Sequence, residues 1–216
     1  MKKPTRARSS GAKDERRTVL LDAGRRLFED REYEAVTMSA LASEAGLAKG
    51  TAFLYFPTKE ALFLEVLNRE LDGWLAALEG RLVAASGHDV PRVIADSLRE
   101  RPVLLRLLPL LHVTLERNID DAALATWKKK LLVSLLPAAS LLEVRLRLPP
   151  GEGLRLLLRA HVLVVGLSQV ARPAPRIQAV LDADPGLRPF QIDFQAELEA
   201  LLAAVVDSMR KPGRTR

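Results

Sequence analysis

Residues 37–60 read TMSALASEAGLAKGTAFLYFPTKE, and the punctuation of this stretch decides the fold. Thr37 precedes a short run, Met38 to Ala45, and its hydroxyl can accept an orphan N–H of a first helical turn. Gly46 ends that run as a residue free to take φ > 0. A second short run, Ala48 to Tyr55, stops at Pro57, and Thr58 caps a further helix opening on Lys59-Glu60. Two short helices joined by a tight turn form a helix-turn-helix, the geometry that places a second helix in a DNA major groove.

Leu41, Ala42, Ala45 and Leu47 are apolar or small and can lock the two helices where they cross. The open edge then carries Lys49, Gly50, Thr51, Phe53 and Tyr55, with Thr37, Ser39 and Lys59 beside them. Lys49 suits a phosphate or a guanine edge, Gly50 lets the backbone come close, and Thr51 can donate to a phosphate or touch a thymine methyl. Lys59 and the start of the following helix make an anion site. An ordinary core hairpin gives no reason for Lys49, Thr51, Tyr55 and Lys59 to share one exposed edge.

Upstream, Leu20, Ala23, Leu27 and Phe28 recur at helical spacing and predict a helix from about Asp14 to Arg31. Gly24 in its middle costs up to about 1 kcal/mol relative to Ala and predicts a close helix contact. Downstream, the helix opened by Thr58 is expected to reach about Ala84, lined by Phe63, Val66, Leu67, Leu71, Trp74, Leu75 and Leu78.

Together, Thr18 to Leu67 resembles the N-terminal domain of the TetR family of repressors. The resemblance rests on Ala23, Leu27 and Phe28, on Tyr33 to Thr37, on Ala45-Gly46 through Lys49-Gly50-Thr51, and on Phe56-Pro57 with Lys59-Glu60. It covers about a quarter of the chain. It implies an all-helical homodimer whose C-terminal domain binds a small-molecule inducer. Five positions depart from the family's usual pattern. Gly24 replaces a common Ala, and Glu32 stands at a turn where Gly is usual. Ala48 takes the place of a capping Ser, Ala52 stands where a bulkier residue is usual, and Phe53 lacks the hydroxyl of the usual Tyr.

The remainder is Leu-rich and reads as further helices. These are Val90 to Arg99, Pro102 to Arg117 kinked at Pro109, and Asp120 to about Leu148 bent near Pro137. After the break at Pro149-Pro150-Gly151 come Leu154 to Ala171, a Pro-rich connection through Pro173, Pro175, Pro185 and Pro189, and a last helix from about Phe190 to Met209. No strand alternation appears, so the fold class is all-α: an N-terminal helix-turn-helix domain joined by a long helix to a helical ligand-binding and dimerisation domain. Expected boundaries are a flexible basic arm at 1–12, the DNA-binding domain at 13–60, the helical domain at 61–210 and a basic tail at 211–216. The helices at about 154–171 and 190–209 are apolar over more than one face, which suits burial between two subunits.

Bulk properties agree with that plan. The 216 residues are 48% hydrophobic but only 5% aromatic, so the core is built of Leu, Val and Ala. The net charge of +6 sits at the two ends, and the body between them is slightly acidic. Basic ends suit a polyanion such as DNA, because each Lys or Arg near a phosphate releases a counterion. The absence of cysteine excludes disulfides and thiolate metal sites and is compatible with a cytoplasmic location. Leu154 to Ala171 is interrupted by Arg155, Arg159 and His161, so it reads as a buried helix and no membrane partner is expected.

Candidate ligand-binding residues are His112, Leu115, Trp127, His161 and Val165, the polar members supplying the few hydrogen-bonding groups of an apolar pocket. No catalytic triad, metal-ligand spacing or phosphate-cradling loop is present, so neither an enzyme nor a cofactor or metal is expected. The expected function is therefore transcriptional regulation, with a DNA operator, an unknown inducer and a second copy of the chain as partners. The alternative is a helical binding or scaffold protein that does not read DNA.

Overall fold

The computed structural model describes residues 6–210, and every element in that range is helical. In chain order they are α1 (Arg6–Asp30), α2 (Met38–Glu44), α3 (Lys49–Tyr55), α4 (Lys59–Ala84), α5 (Val90–Arg99), α6 (Pro102–Leu110), α7 (Asp121–Leu146), α8 (Glu152–Val170), α9 (Pro175–Ala183) and α10 (Phe194–Arg210). The basic tail and the first residues of the expected arm lie outside the described range. From Arg6 onward the arm is instead part of α1, a correction with a simple cause. Arg, Ala and Lys are good helix formers, and they outweigh Ser9, Ser10 and Gly11 before Asp14.

The chain forms two compact units, and their limits differ from the expected boundaries. The first holds residues up to Arg69 together with Leu111–Leu124, and the second holds Glu70–Leu110 and Ala125 onward. In the first unit, Leu20, Ala23, Leu41, Ala52, Leu62, Phe63 and Leu67 have no exposed surface. Phe63 anchors this core, meeting Phe28 edge-on at 5.5 Å and Tyr33 at 5.2 Å. Gly24 provides the close contact its sequence position predicts. A Cβ there would stand 2.7 Å from Leu62 Cδ2, so α1 and α4 approach where side-chain bulk is absent. The turn at Glu32 needs no left-handed residue: its φ is −69°, so a side chain is accommodated without strain.

In the second unit, α10 packs against α5 and α8, and α6 packs against α8. Side-chain hydrogen bonds add further ties between helices. Trp74 Nε1 donates to Ser97 Oγ at 2.8 Å, and Ser97 Oγ donates onward to the Ile94 carbonyl at 2.7 Å. Gln195 Nε2 donates to the Ala95 carbonyl at 2.9 Å, tying α10 to α5. The start of α8 is held by a side chain from α7: Glu143 Oε1 accepts from Gly151 N at 2.7 Å and from Gly153 N at 3.1 Å. That carboxylate satisfies orphan donors which no residue of α8 caps.

Three further readings are corrected here. The Pro-rich connection contains a helix, because Pro175 occupies the first turn of α9, where its missing N–H costs nothing. The expected helix through Arg117 ends at Leu110. Pro109 is followed by a wide π turn, Leu111–Leu115, and a 3-10 turn, Glu116–Asn118. Lastly, α8 is not a buried helix throughout. It buries Leu156, Leu157, Ala160, Val164 and Leu167 but exposes Leu158, Val162 and Val170. By length and composition alone α8 could cross a membrane, and 33% of its apolar window is buried within the chain.

Candidate nucleic-acid interface

The site is built from α2, a four-residue turn (Ala45 to Ala48) and α3. Thr37 Oγ1 accepts the Ala40 N–H at 3.2 Å and so caps α2. Gly46 takes φ +66°, and Leu47 N donates back to the Ala42 carbonyl at 2.8 Å, closing the turn in the left-handed conformation that glycine allows. Leu41 and Ala42 are buried at the helix crossing, and Ala45 and Leu47 are half-buried beside them. The buried residue on the α3 side is Ala52, with 0% exposure. A larger side chain at this position would push α3 off its neighbours.

Burying Ala52 and Phe56 turns the rest of α3 outward. Lys49 and Gly50 are exposed, Phe53 is 42% exposed, and Thr51 and Tyr55 are half-buried. Ser39 on α2 and Thr37 are exposed as well. A Cβ added at Gly50 would meet no atom within 4 Å, so its backbone is open to an approaching surface. Leu54, at 83% exposure, belongs to this edge and was absent from the sequence reading. Its signal was available: with Ala52 and Phe56 facing inward, the 100° helical step places positions 50 and 54 on the opposite side. An apolar side chain there suits thymine methyls.

Lys59 has a second engagement. Its Nζ donates to the Tyr33 carbonyl at 2.8 Å and lies 3.9 Å from the Tyr33 ring centroid. Burial lowers its pKa from the ordinary lysine value, opposed by Glu60 and Glu34. Burial also raises the Tyr33 phenol pKa, with Glu60, which accepts the hydroxyl at 3.1 Å, adding to the rise. Thr58 Oγ1 accepts the Ala61 N–H at 3.0 Å and caps α4 as expected.

Ala48, the residue before α3, makes no side-chain cap, whereas Thr37 caps α2. Two opposite results are expected from urea denaturation. Thr37→Ala lowers stability by about 1 kcal/mol, and Ala48→Ser raises it by a similar amount.

The five candidate ligand residues fall in both units. His112 and Leu115 belong to the first unit, and Trp127, His161 and Val165 to the second. His112 is exposed, with Nδ1 3.1 Å from Glu116 Oε2. In the π turn Leu111 and Leu115 are buried and His112 lies outside. His161 and Val165 are half-buried on α8. Trp127 is 4% exposed, and its indole Nε1–H has no hydrogen-bond partner.

Two family models match successive parts of the chain. The family described as "Bacterial regulatory proteins, tetR family" matches residues 20–66, and "Tetracyclin repressor-like, C-terminal domain" matches residues 68–211. Among curated relatives, the HTH-type transcriptional repressor KstR of Rhodococcus jostii is 45% identical over 64 residues, 30% of each chain. The HTH-type transcriptional activator FasR of Mycolicibacterium smegmatis is 37% identical over 70 residues, 32% of each chain. The chain thus spans about a third of the length of these curated relatives. A solved transcriptional regulator from Rhodococcus sp. Rha1 superimposes with a TM-score of 0.56 at 17% identity, covering 89% of this chain and 95% of that one. The fold is shared throughout, while close sequence similarity is concentrated in the helix-turn-helix.

Proposed function

The chain belongs to the TetR family of transcriptional regulators, and from that premise we propose that it is a dimeric repressor released from its operator by a small molecule. The observation that carries the DNA-binding part is the outward edge of α3, where Lys49, Gly50, Phe53 and Leu54 lie together on a helix fixed by a buried Ala52. Lys49 reaches a phosphate or a guanine edge, Gly50 admits the backbone, and Thr51, Tyr55, Ser39 and Thr37 contact phosphates at its margin. Lys59, oriented by Tyr33, holds its charge at the start of α4 for a further phosphate.

Support for the ligand part comes from Trp127, whose buried indole N–H lacks an acceptor that a bound molecule can supply. Ligand binding in the C-terminal domain would favour a state whose two recognition helices no longer match the operator spacing. The exposed apolar residues of α8 support the dimer.

A gel-shift assay with genomic fragments tests this reading. Sequence-preferring, salt-sensitive binding is expected. Lys49→Ala is expected to weaken it about tenfold with an unchanged melting temperature. A variant that unfolds would return Lys49 to a structural role, and a wild-type chain with no sequence preference would remove the proposal.

A further inference from the structure

Within the second unit, a cavity of about 960 Å³ opens where the α4–α5 turn, the end of α7, the start of α8 and the end of α10 come together. Its charge is one-sided. Arg145, Arg147, Arg159 and Arg210 line it with His88, against a single acid, Glu152. That acid is already engaged by Arg155 at 2.8 Å.

The four arginines are of two kinds. Arg145 and Arg210 are fixed to the backbone. Arg145 Nη2 donates to the Val83 carbonyl, and Arg210 donates to the Leu146 carbonyl at 3.4 Å and the Gly87 carbonyl at 3.2 Å. Gly87 makes room for both, since a Cβ there would stand 2.7 Å from the Arg145 carbonyl oxygen and 2.9 Å from Arg210 Nη2. Arg145 Nε remains buried without a hydrogen-bond partner. Arg147 and Arg159 are exposed, and neither has a salt-bridge partner among the described residues. Arg147 also takes φ 55°, the left-handed conformation that usually selects glycine at a helix end. Four guanidinium groups around one concavity repel one another unless an anion lies between them.

We propose that this cavity binds a small organic polyanion bearing phosphate or carboxylate groups. Arg147 and Arg159 grip it, and Arg145 and Arg210 act as fixed donors behind them. The volume falls in the range of small-molecule pockets. The planar fork of arginine matches both kinds of group bidentately. The cavity contains none of the five ligand candidates read from the sequence, so it stands independently of the inducer reading.

Calorimetric titration of the full chain with pyrophosphate and with citrate, at fixed ionic strength, tests the proposal. One saturable site per chain is expected for at least one probe, and the tighter probe identifies the group recognised. Arg147→Gly/Arg159→Ser should weaken that binding at least about tenfold. The glycine relieves the left-handed backbone, so this variant stays folded. Lys129→Ser/Arg172→Ser removes the same charge elsewhere and should leave binding unchanged. Equal weakening in both double variants, or no binding of either probe, overturns the proposal. So does loss of operator binding in Arg147→Gly/Arg159→Ser with pyrophosphate and citrate binding intact.

Discussion

Gly153→Ala is expected to destabilise the second unit by about 3–5 kcal/mol. A Cβ at position 153 would lie 2.0 Å from the Ala139 carbonyl oxygen and 2.9 Å from Glu143 Cγ. The first obstacle is backbone inside α7, so no rotamer change relieves it and α8 must retreat. Retreat pulls the Gly151 and Gly153 N–H groups off Glu143 Oε1, which uncaps α8 and leaves a carboxylate short of donors. Overpacking and a lost charge-assisted cap therefore add to each other. For a chain of this size the melting temperature should fall by roughly 10 °C. Gly80→Ala is the matched control. It also lies within a helix but meets nothing within 4 Å, so helix propensity alone should stabilise it by about 0.5–1 kcal/mol. Differential scanning calorimetry of the two variants decides the matter, and a Gly153→Ala melting temperature within a degree of wild type would refute the close approach of α8 to α7.

The legibility of this chain follows the sequence range of the interactions involved. Thr37, Gly46, Pro57 and Thr58 act on neighbours within a few residues, so the limits of α2, α3 and the start of α4 could be read directly. Gly24 was legible too, because a glycine inside an amphipathic helix needs a packing reason. What escaped reading depends on distant partners. Lys59 was expected to make an anion site with the start of α4, and its engagement by Tyr33, 26 residues away, through a carbonyl and a ring face was not foreseen. His112 was read as a pocket candidate on a helix expected to run to Arg117, but that helix ends at Leu110 and His112 lies exposed in the π turn. Segment 111–124 joins the first unit from far along the chain, which no local pattern announces. The arginine-lined cavity draws on residues from 87 to 210, each of which looks like an ordinary solvated side chain in its own segment.

Leu158→Glu/Val162→Glu should convert the protein from dimer to monomer and reduce operator affinity by about two orders of magnitude or more. These side chains are 53% and 68% exposed on one chain, so a charge at either position costs little within the subunit. They share a stripe of α8 with Gly166 and Val170, flanked by Arg155 and Arg159, an apolar strip with a charged rim of the kind that interfaces use. On α10, Ala196, Ala200, Ala204 and Ser208 form an exposed row of small residues four apart, beside Leu201, where another helix can come close. Two carboxylates facing their own symmetry mates in a dry interface would repel across it and remain unpaired. A single recognition helix reads only one half-site, whereas a dimer binds two, about 34–36 Å apart, as one event. Sedimentation and gel-shift should therefore fail together while circular dichroism stays unchanged. A variant that remains dimeric would move the interface elsewhere. One that becomes monomeric yet binds the operator at full strength would show that the outward edge of α3 does not need a second copy.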